Sequence, residues 1–295
     1  MDVTGGPTDR QADSVSLGFI DRAMLLYLGF VTVVALTRLD LKPRAAWVIG
    51  ANVLTALLIW LLHRPGLGRF GRVVRDIYPV LLLPALYSAL DLLNGFDVRT
   101  WDHVVQRMEA AIFGGQVSRE WWQASPSEFW STLLHAIYFV YYFIVPFPTL
   151  LFLARGDADQ ARRSVALVVT TFLCCYVVFI LFPVAGPYYE FPRPTGAFVD
   201  NWAARLVYAT LSQGSSFGAA FPSSHVAATV AATIATWQGA RKAGMILVIP
   251  TLLLTVAVVY CQMHYAVDAL TGLLVPVPIA VAMRRRPGLL DGQPV

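Results

Sequence analysis

Hydrophobic stretches about as long as a bilayer core is thick recur along most of this chain, and they decide what it can fold into. An α-helix needs about 20 mostly apolar residues to cross a hydrocarbon core of ~30 Å. Eight segments meet that need, at roughly 20–37, 45–62, 77–93, 129–153, 164–183, 222–239, 243–261 and 265–283. Pro79, Pro84 and Asp91 interrupt the third segment, and Pro146 and Pro148 the fourth. Membrane helices tolerate such prolines where neighbours re-satisfy the freed carbonyls. Of the residues, 57% are hydrophobic and 14% charged, against about 45–50% apolar and about 25% charged in soluble chains. The expected fold is all-α, a polytopic integral membrane helix bundle of about eight spans. Residues 17–286 should form a single membrane domain, flanked by a disordered tail over 1–16 and a short tail over 287–295.

Eight spans put both termini on one side. That side would hold 14 of the Arg and Lys residues, including the run Arg284–Arg286, and the other side 8. Positive charge accumulates in cytoplasmic loops, so both tails are expected in the cytoplasm and the protein in the plasma (inner) membrane. Two long loops then face outside. In residues 94–128, apolar and charged residues alternate at near-helical spacing, flanked by Trp101, Trp121 and Trp122. This is the pattern of an amphipathic helix lying in the interface; an ordinary loop with aromatic belt residues is the plainer alternative. The second loop covers residues 184–221. The net charge of +4 arises in short loops between spans, a topology signal and not a nucleic-acid footprint. Three cysteines cannot build a disulfide framework. Cys174 and Cys175 read as small buried hydrophobes, and Cys261 has no Cys-x-x-Cys partner, so zinc is not expected.

Two short segments carry the chemistry. In FGAAFPSSHVAAT, residues 217–229, Gly218 and Pro222 end a loop, Ser223 or Ser224 can cap the next helix, and His225 lies in its first turn. A helix N-terminus offers unpaired N–H groups and partial positive charge, which suit a phosphate. Alone, the segment reads as a capped helix start with an incidental histidine. In YCQMHYAVDALTG, residues 260–272, His264 and Asp268 are four apart and share a helix face. An intramembrane carboxylate normally has a partner. Here it could orient one imidazole nitrogen and leave the other free as a nucleophile or base. A purely structural His–Asp bond at a helix start is the alternative. Topology links the motifs: the sixth span starts at His225, the seventh returns, and His264 lies at that return. Two histidines, an aspartate and a helix N-terminus at one membrane face suit phosphoryl transfer through histidine. Arg193 lies in the loop on that face, and its planar fork can bond two phosphate oxygens.

These residues resemble the type 2 phosphatidic acid phosphatase superfamily, whose signature includes Pro-Ser-x-His and a later His-x-x-x-Asp. FGAAFPSSH, MHYAVDALTG, LFPVAGPYYE and EAAIFGGQ resemble the branch containing fungal inositol phosphorylceramide synthase. The resemblance implies a six-helix core and no metal or other cofactor. It implies that His264 is the nucleophile, Asp268 its orienting group and His225 the acid and base, with Ser223 and Ser224 cradling the phosphate. The superfamily's phosphatases often carry a lysine where this chain has Gly186, and Ser-Arg where it has Ala257-Val258, while Arg193-Pro194 fills their Arg-Pro. The phosphate clamp is thinner, which shifts the implied reaction toward transfer.

The expected function is movement of a phosphate-bearing headgroup onto a lipid alcohol at the extracytoplasmic face, with membrane lipids as substrates. Hydrolysis of phosphatidate or a polyprenyl phosphate is the alternative. A transporter relaying protons through His and Asp is a rival from another class, but no repeat between halves is evident of the kind many transporters show. Tyr188 and Tyr189 are expected as weak substrate contacts near the entrance. His135 is a helix-to-helix hydrogen-bonding candidate, His63 and His103 are expected to be solvated, and Tyr138, Tyr141 and Tyr142 are expected to pack. The sequence is silent on oligomeric state.

Overall fold

The computed structural model describes residues 17–286; both tails lie outside the described residues. The chain forms α1 (Phe19–Arg38), α2 (Ala45–Leu62), α3 (Arg69–Leu93), α4 (Asp102–Phe113), α5 (Val117–Ala124), α6 (Glu128–Ile144) and α7 (Phe147–Ala154). It continues with α8 (Ala158–Leu181), α9 (Pro187–Glu190), α10 (Trp202–Gly214), α11 (Ser224–Gly239), α12 (Arg241–Tyr260), α13 (Ala266–Leu274) and α14 (Pro276–Arg285). Among the described residues there is no strand, so the all-helical expectation holds.

Among the described residues, six helical segments are long and apolar enough to cross a membrane: α1, α2, α3, α8, α12 and the run Ala266–Arg285 made by α13 and α14. α6 and α7 pass the same test only together, as a pair bent by 45° with Pro146 and Pro148 at the break, and count as a seventh crossing if the pair is one broken span. α3 runs unbroken through Pro79 and Pro84 and starts earlier than expected, taking Arg69, Arg72 and Arg75 into its first turns. The expected sixth span is the exception. α11 has 16 residues, about 24 Å of helix, short of a ~30 Å core. It sits inside the bundle against α8, α12, α13, α14, α6 and α7. Ala227, Ala228, Ala231, Ala232 and Ala235 are all buried along it, and small side chains let neighbouring backbones approach closely. Thr233 and Thr251 add a hydroxyl bond of 2.7 Å to α12.

The end of the bundle opposite the termini is tied by polar contacts. Arg38, at the end of α1, donates to the carbonyls of Leu93 (3.0 Å) and Ile180 (3.4 Å) and to Asn94 Oδ1 (3.1 Å). A cation thus meets the C-terminal ends of α3 and α8, where the helix dipole favours positive charge. At the other end, Asp21 accepts from Tyr78 (2.7 Å) and lies 3.2 Å from His63 Nε2. His63 is therefore held between helix ends and is not solvated, because α1, α2 and α3 bring those ends together. His103 is exposed as expected. Cys175 is buried, but Cys174 faces outward from α8.

Candidate active site

The two long loops, residues 94–128 and 184–221, both fold over this end. Residues 94–128 form two short helices instead of one, because Gly114 (φ 77°) ends α4 in the left-handed region. In the second loop, Val184 N–H donates to Gly218 O (3.1 Å) and Ala220 N–H to Val184 O (2.9 Å). Gly186, at φ 91°, lets the chain pass Ala220, where a Cβ would stand 2.8 Å from the Ala220 methyl. These bonds fix the carbonyl of Ala220, which the site uses.

α11 starts where FPSSH places it. Ser223 is the N-cap, its Oγ accepting from Val226 N–H at 3.4 Å. Its own amide donates to Asp268 O at 3.0 Å, so that N–H is committed to α13. Ser224 and His225 open the helix, and their amides have no intrahelical acceptor. Ser224 also lines a cleft described below.

α12 ends at Tyr260, four residues before His264. Met263 N–H bonds Val258 O (3.0 Å) and Gln262 N–H bonds Val259 O (3.0 Å), the paired pattern of a Schellman cap. That cap requires a left-handed residue, and Gln262 supplies it at φ 58°. A non-glycine there costs about 1–2 kcal/mol. The Gln262 amide offsets this by donating to Pro187 O (3.2 Å) and Pro192 O (3.1 Å). His264 follows directly. Its Nδ1 lies 3.0 Å from Ala220 O and 3.4 Å from Asp268 Oδ2. A carbonyl oxygen only accepts, so Nδ1 carries the proton and Nε2 keeps its lone pair. Asp268 Oδ2 also accepts from Tyr265 N–H at 2.9 Å.

The two histidines face each other, ring centroids 5.6 Å apart. Both line a cavity of about 40 Å³ together with Tyr138, Tyr188, Tyr189 and Ala220. A larger cleft of about 480 Å³ meets it at His225 and runs between α3, α6, α8 and α10 past Leu83, Tyr142, Val145 and Phe172. Tyr138 and Tyr141 do more than pack. Tyr138 Oη is 3.1 Å from His225 Nε2, and the Tyr141 ring lies 4.5 Å from the imidazole. His225 Nδ1 and Asp268 Oδ1 are buried without a hydrogen-bond partner among the described residues.

His264, His225, Asp268, Ser224, Tyr188 and Tyr189 are thus brought together. Ser223 stands behind them as the cap. Arg193 is on the rim: it is exposed, with its guanidinium 4.1 Å from the Tyr188 ring centre. His135 is buried, with Nδ1 2.8 Å from Ser131 O and 3.5 Å from Cys261 Sγ; it lines neither cavity. Among the described residues, no group of three or more His, Cys, Asp or Glu could hold a metal ion.

A mostly helical membrane bundle with two facing histidines, one paired with an aspartate, has the parts that covalent transfer of a phosphoryl group through an imidazole needs. Residues 105–282, more than half of the chain, match the PAP2 superfamily, and the chain belongs to it. Its chemistry is of the phosphatase or phosphotransferase type, acting on lipids. No curated protein and no solved structure matches the chain.

Proposed function

We propose that the protein is a lipid phosphotransferase working through a phosphohistidine on His264. The observation that carries this is the tethering of His264 Nδ1 to Ala220 O beside Asp268, in a cavity shared with His225. Nε2 attacks phosphorus, an N–P bond forms, and the P–O bond to the leaving alcohol breaks. His225, in its protonated form, gives its proton to that oxygen. Asp268 balances the charge that develops on His264. An acceptor alcohol then passes its proton to His225 as its oxygen attacks phosphorus and the N–P bond breaks. Ser224, the first amides of α11 and Arg193 meet the phosphate oxygens, and Tyr188 and Tyr189 flank the headgroup. No metal takes part in this scheme.

The apolar cleft reaches the site at His225, the group that serves the departing and arriving oxygens. Both oxygens are therefore those of chain-bearing alcohols, which supports transfer between lipids. Hydrolysis is the second reading, favoured by one observation: a space of about 40 Å³ beside the histidines is enough for a water molecule. The surplus of basic residues at the other end supports an extracytoplasmic site in the inner membrane. The branch containing inositol phosphorylceramide synthase fits the thin clamp, with Gly186 and Val258 where a phosphatase carries cations.

The test is turnover by purified protein in lipid nanodiscs, using headgroup-labelled phospholipids with and without diacylglycerol or ceramide. Acceptor-dependent product that disappears in His264→Ala is the expected result. Acceptor-independent phosphate release would establish hydrolysis, and full activity in His264→Ala would refute the phosphohistidine.

A further inference from the structure

α4 turns a polar face toward the bundle. Asp102, Gln106 and Glu109 follow at spacings of four and three, which place them on one side of the helix. Asp102 is 3% exposed and Glu109 0%. A helix that served only to anchor the chain at the interface would bury apolar residues there and leave carboxylates in water.

The partners of these groups are backbone amides and hydroxyls. Asp102 accepts from Ala185 N–H (2.8 Å), Gly186 N–H (2.8 Å) and Tyr265 Oη (3.0 Å). Gln106 donates to the same tyrosine oxygen at 2.9 Å. Glu109 accepts from Ala266 N–H (2.8 Å), Ser118 N–H (3.3 Å) and Ser118 Oγ (3.1 Å). Burial pushes the Glu109 carboxyl above its usual range, against the pull of the Ala266 bond.

Apart from Ser118 on α5, these partners adjoin His264 without being it. Tyr265 and Ala266 follow it in sequence, and Ala266 opens α13, where an unpaired amide and the helix dipole favour a carboxylate. Gly186 lies against Ala220, whose carbonyl takes the Nδ1 proton. We propose that Asp102 and Glu109 are positioning residues for His264: α4 fixes the two backbone stretches that set this imidazole. The proposal rests on the reading of His264 as the nucleophile.

The test compares Glu109→Ala, Glu109→Gln and Asp102→Asn with His264→Ala in nanodiscs, by kcat, KM and thermal midpoint, on the lipid substrate found above. Loss of up to 1 Å in placement costs on the order of 100-fold. Glu109→Ala should therefore lose about 10- to 100-fold in kcat with KM within about twofold. Glu109→Gln keeps an acceptor for Ala266 N–H and should recover part of the loss. If Glu109→Ala does not fold, Glu109→Gln and Asp102→Asn carry the comparison through the same split of kcat from KM. An inactive His264→Ala beside folded α4 variants with wild-type kcat would overturn the positioning role alone. An active His264→Ala would overturn the phosphohistidine reading and the positioning role with it.

Discussion

Gly272 is the contact through which the two histidine-bearing segments are held in register, and replacing it with alanine tests the site's geometry. A Cβ at this position would lie 2.7 Å from the Ser223 carbonyl oxygen and 3.0 Å from Val226 Cβ. A backbone oxygen at the start of a buried helix cannot rotate aside. To move from 2.7 Å to the 3.4 Å where ordinary contact begins, α13 must withdraw from α11 by about 0.7 Å. Forcing a methyl group into such a contact costs about 1–3 kcal/mol. The same movement stretches the Ser223 N–H to Asp268 O bond, now 3.0 Å, whose net worth is ~1 kcal/mol. Asp268 lies one turn before Gly272, so the shift reaches the carboxylate beside His264. Gly272→Ala should thus lower the thermal midpoint by ~2–10 °C and kcat by about 10- to 100-fold, with KM little changed. Purified variant and wild type would be compared in nanodiscs by turnover and by a thermal ramp. Wild-type kcat at a wild-type midpoint would show that the two helices do not set the reacting geometry.

His264→Ala should abolish turnover, and His225→Ala and Asp268→Asn should reduce it by several orders with folding retained; near-normal activity in any of them, measured on the same lipid, would remove that residue from the mechanism. Tyr138→Phe deletes the hydroxyl 3.1 Å from His225 Nε2 and should lower kcat about 10-fold, the equivalent of ~1.4 kcal/mol; an unchanged rate would make the contact incidental. Burial raises the Glu109 carboxyl above its ordinary 4.5, so the folded chain holds that proton more tightly than the unfolded one. This contribution to stability is full below the ordinary value and is lost as pH rises through the raised one. The wild-type thermal midpoint should therefore fall across that window relative to Glu109→Gln, and parallel curves of midpoint against pH would contradict it.

The spans were legible because lipid imposes a length and a composition on each crossing helix, and those survive in one dimension. The two histidine motifs were legible for a related reason: spacing alone places His264 with Asp268 and puts His225 at a helix start. What the motifs meet was not legible. Tyr138 and Tyr141 sit at helical spacing in a span, and tyrosines in that pattern pack far more often than they bond. Only the approach of α6 to α11 makes Tyr138 a partner of His225. Asp102 and Glu109 look like the solvated side of an amphipathic segment, since their partners Tyr265 and Ala266 lie far along the chain. The shortness of α11 was hidden as well, because a largely apolar run reads alike whether it spans the bilayer or sits inside the bundle.

The thin phosphate clamp has a structural counterpart. The two positions where the resemblance leads one to expect cations hold Gly186 and Val258, and both have other duties here. Gly186 adopts φ 91° against Ala220, a conformation that disfavours a lysine. Val258 is buried, and its carbonyl receives both Met263 N–H and His264 N–H, so a long cation there would sit in the core. In the proposed mechanism, compensation for a bound phosphate then falls to the N-terminus of α11, which starts at Ser224, and to Arg193 on the rim, because the first amides of α13 already serve Asp268 and Glu109. The α11 end offers partial positive charge of about half a unit without the desolvation that a buried arginine would bring. Helix ends bind an anion through fixed amides, so their contribution depends on where the phosphate sits. A phosphate carrying a headgroup held by Tyr188 and Tyr189 would be placed; a small free anion would not. That dependence favours a phosphate that arrives esterified over a bare phosphate ion, as the proposed reaction requires.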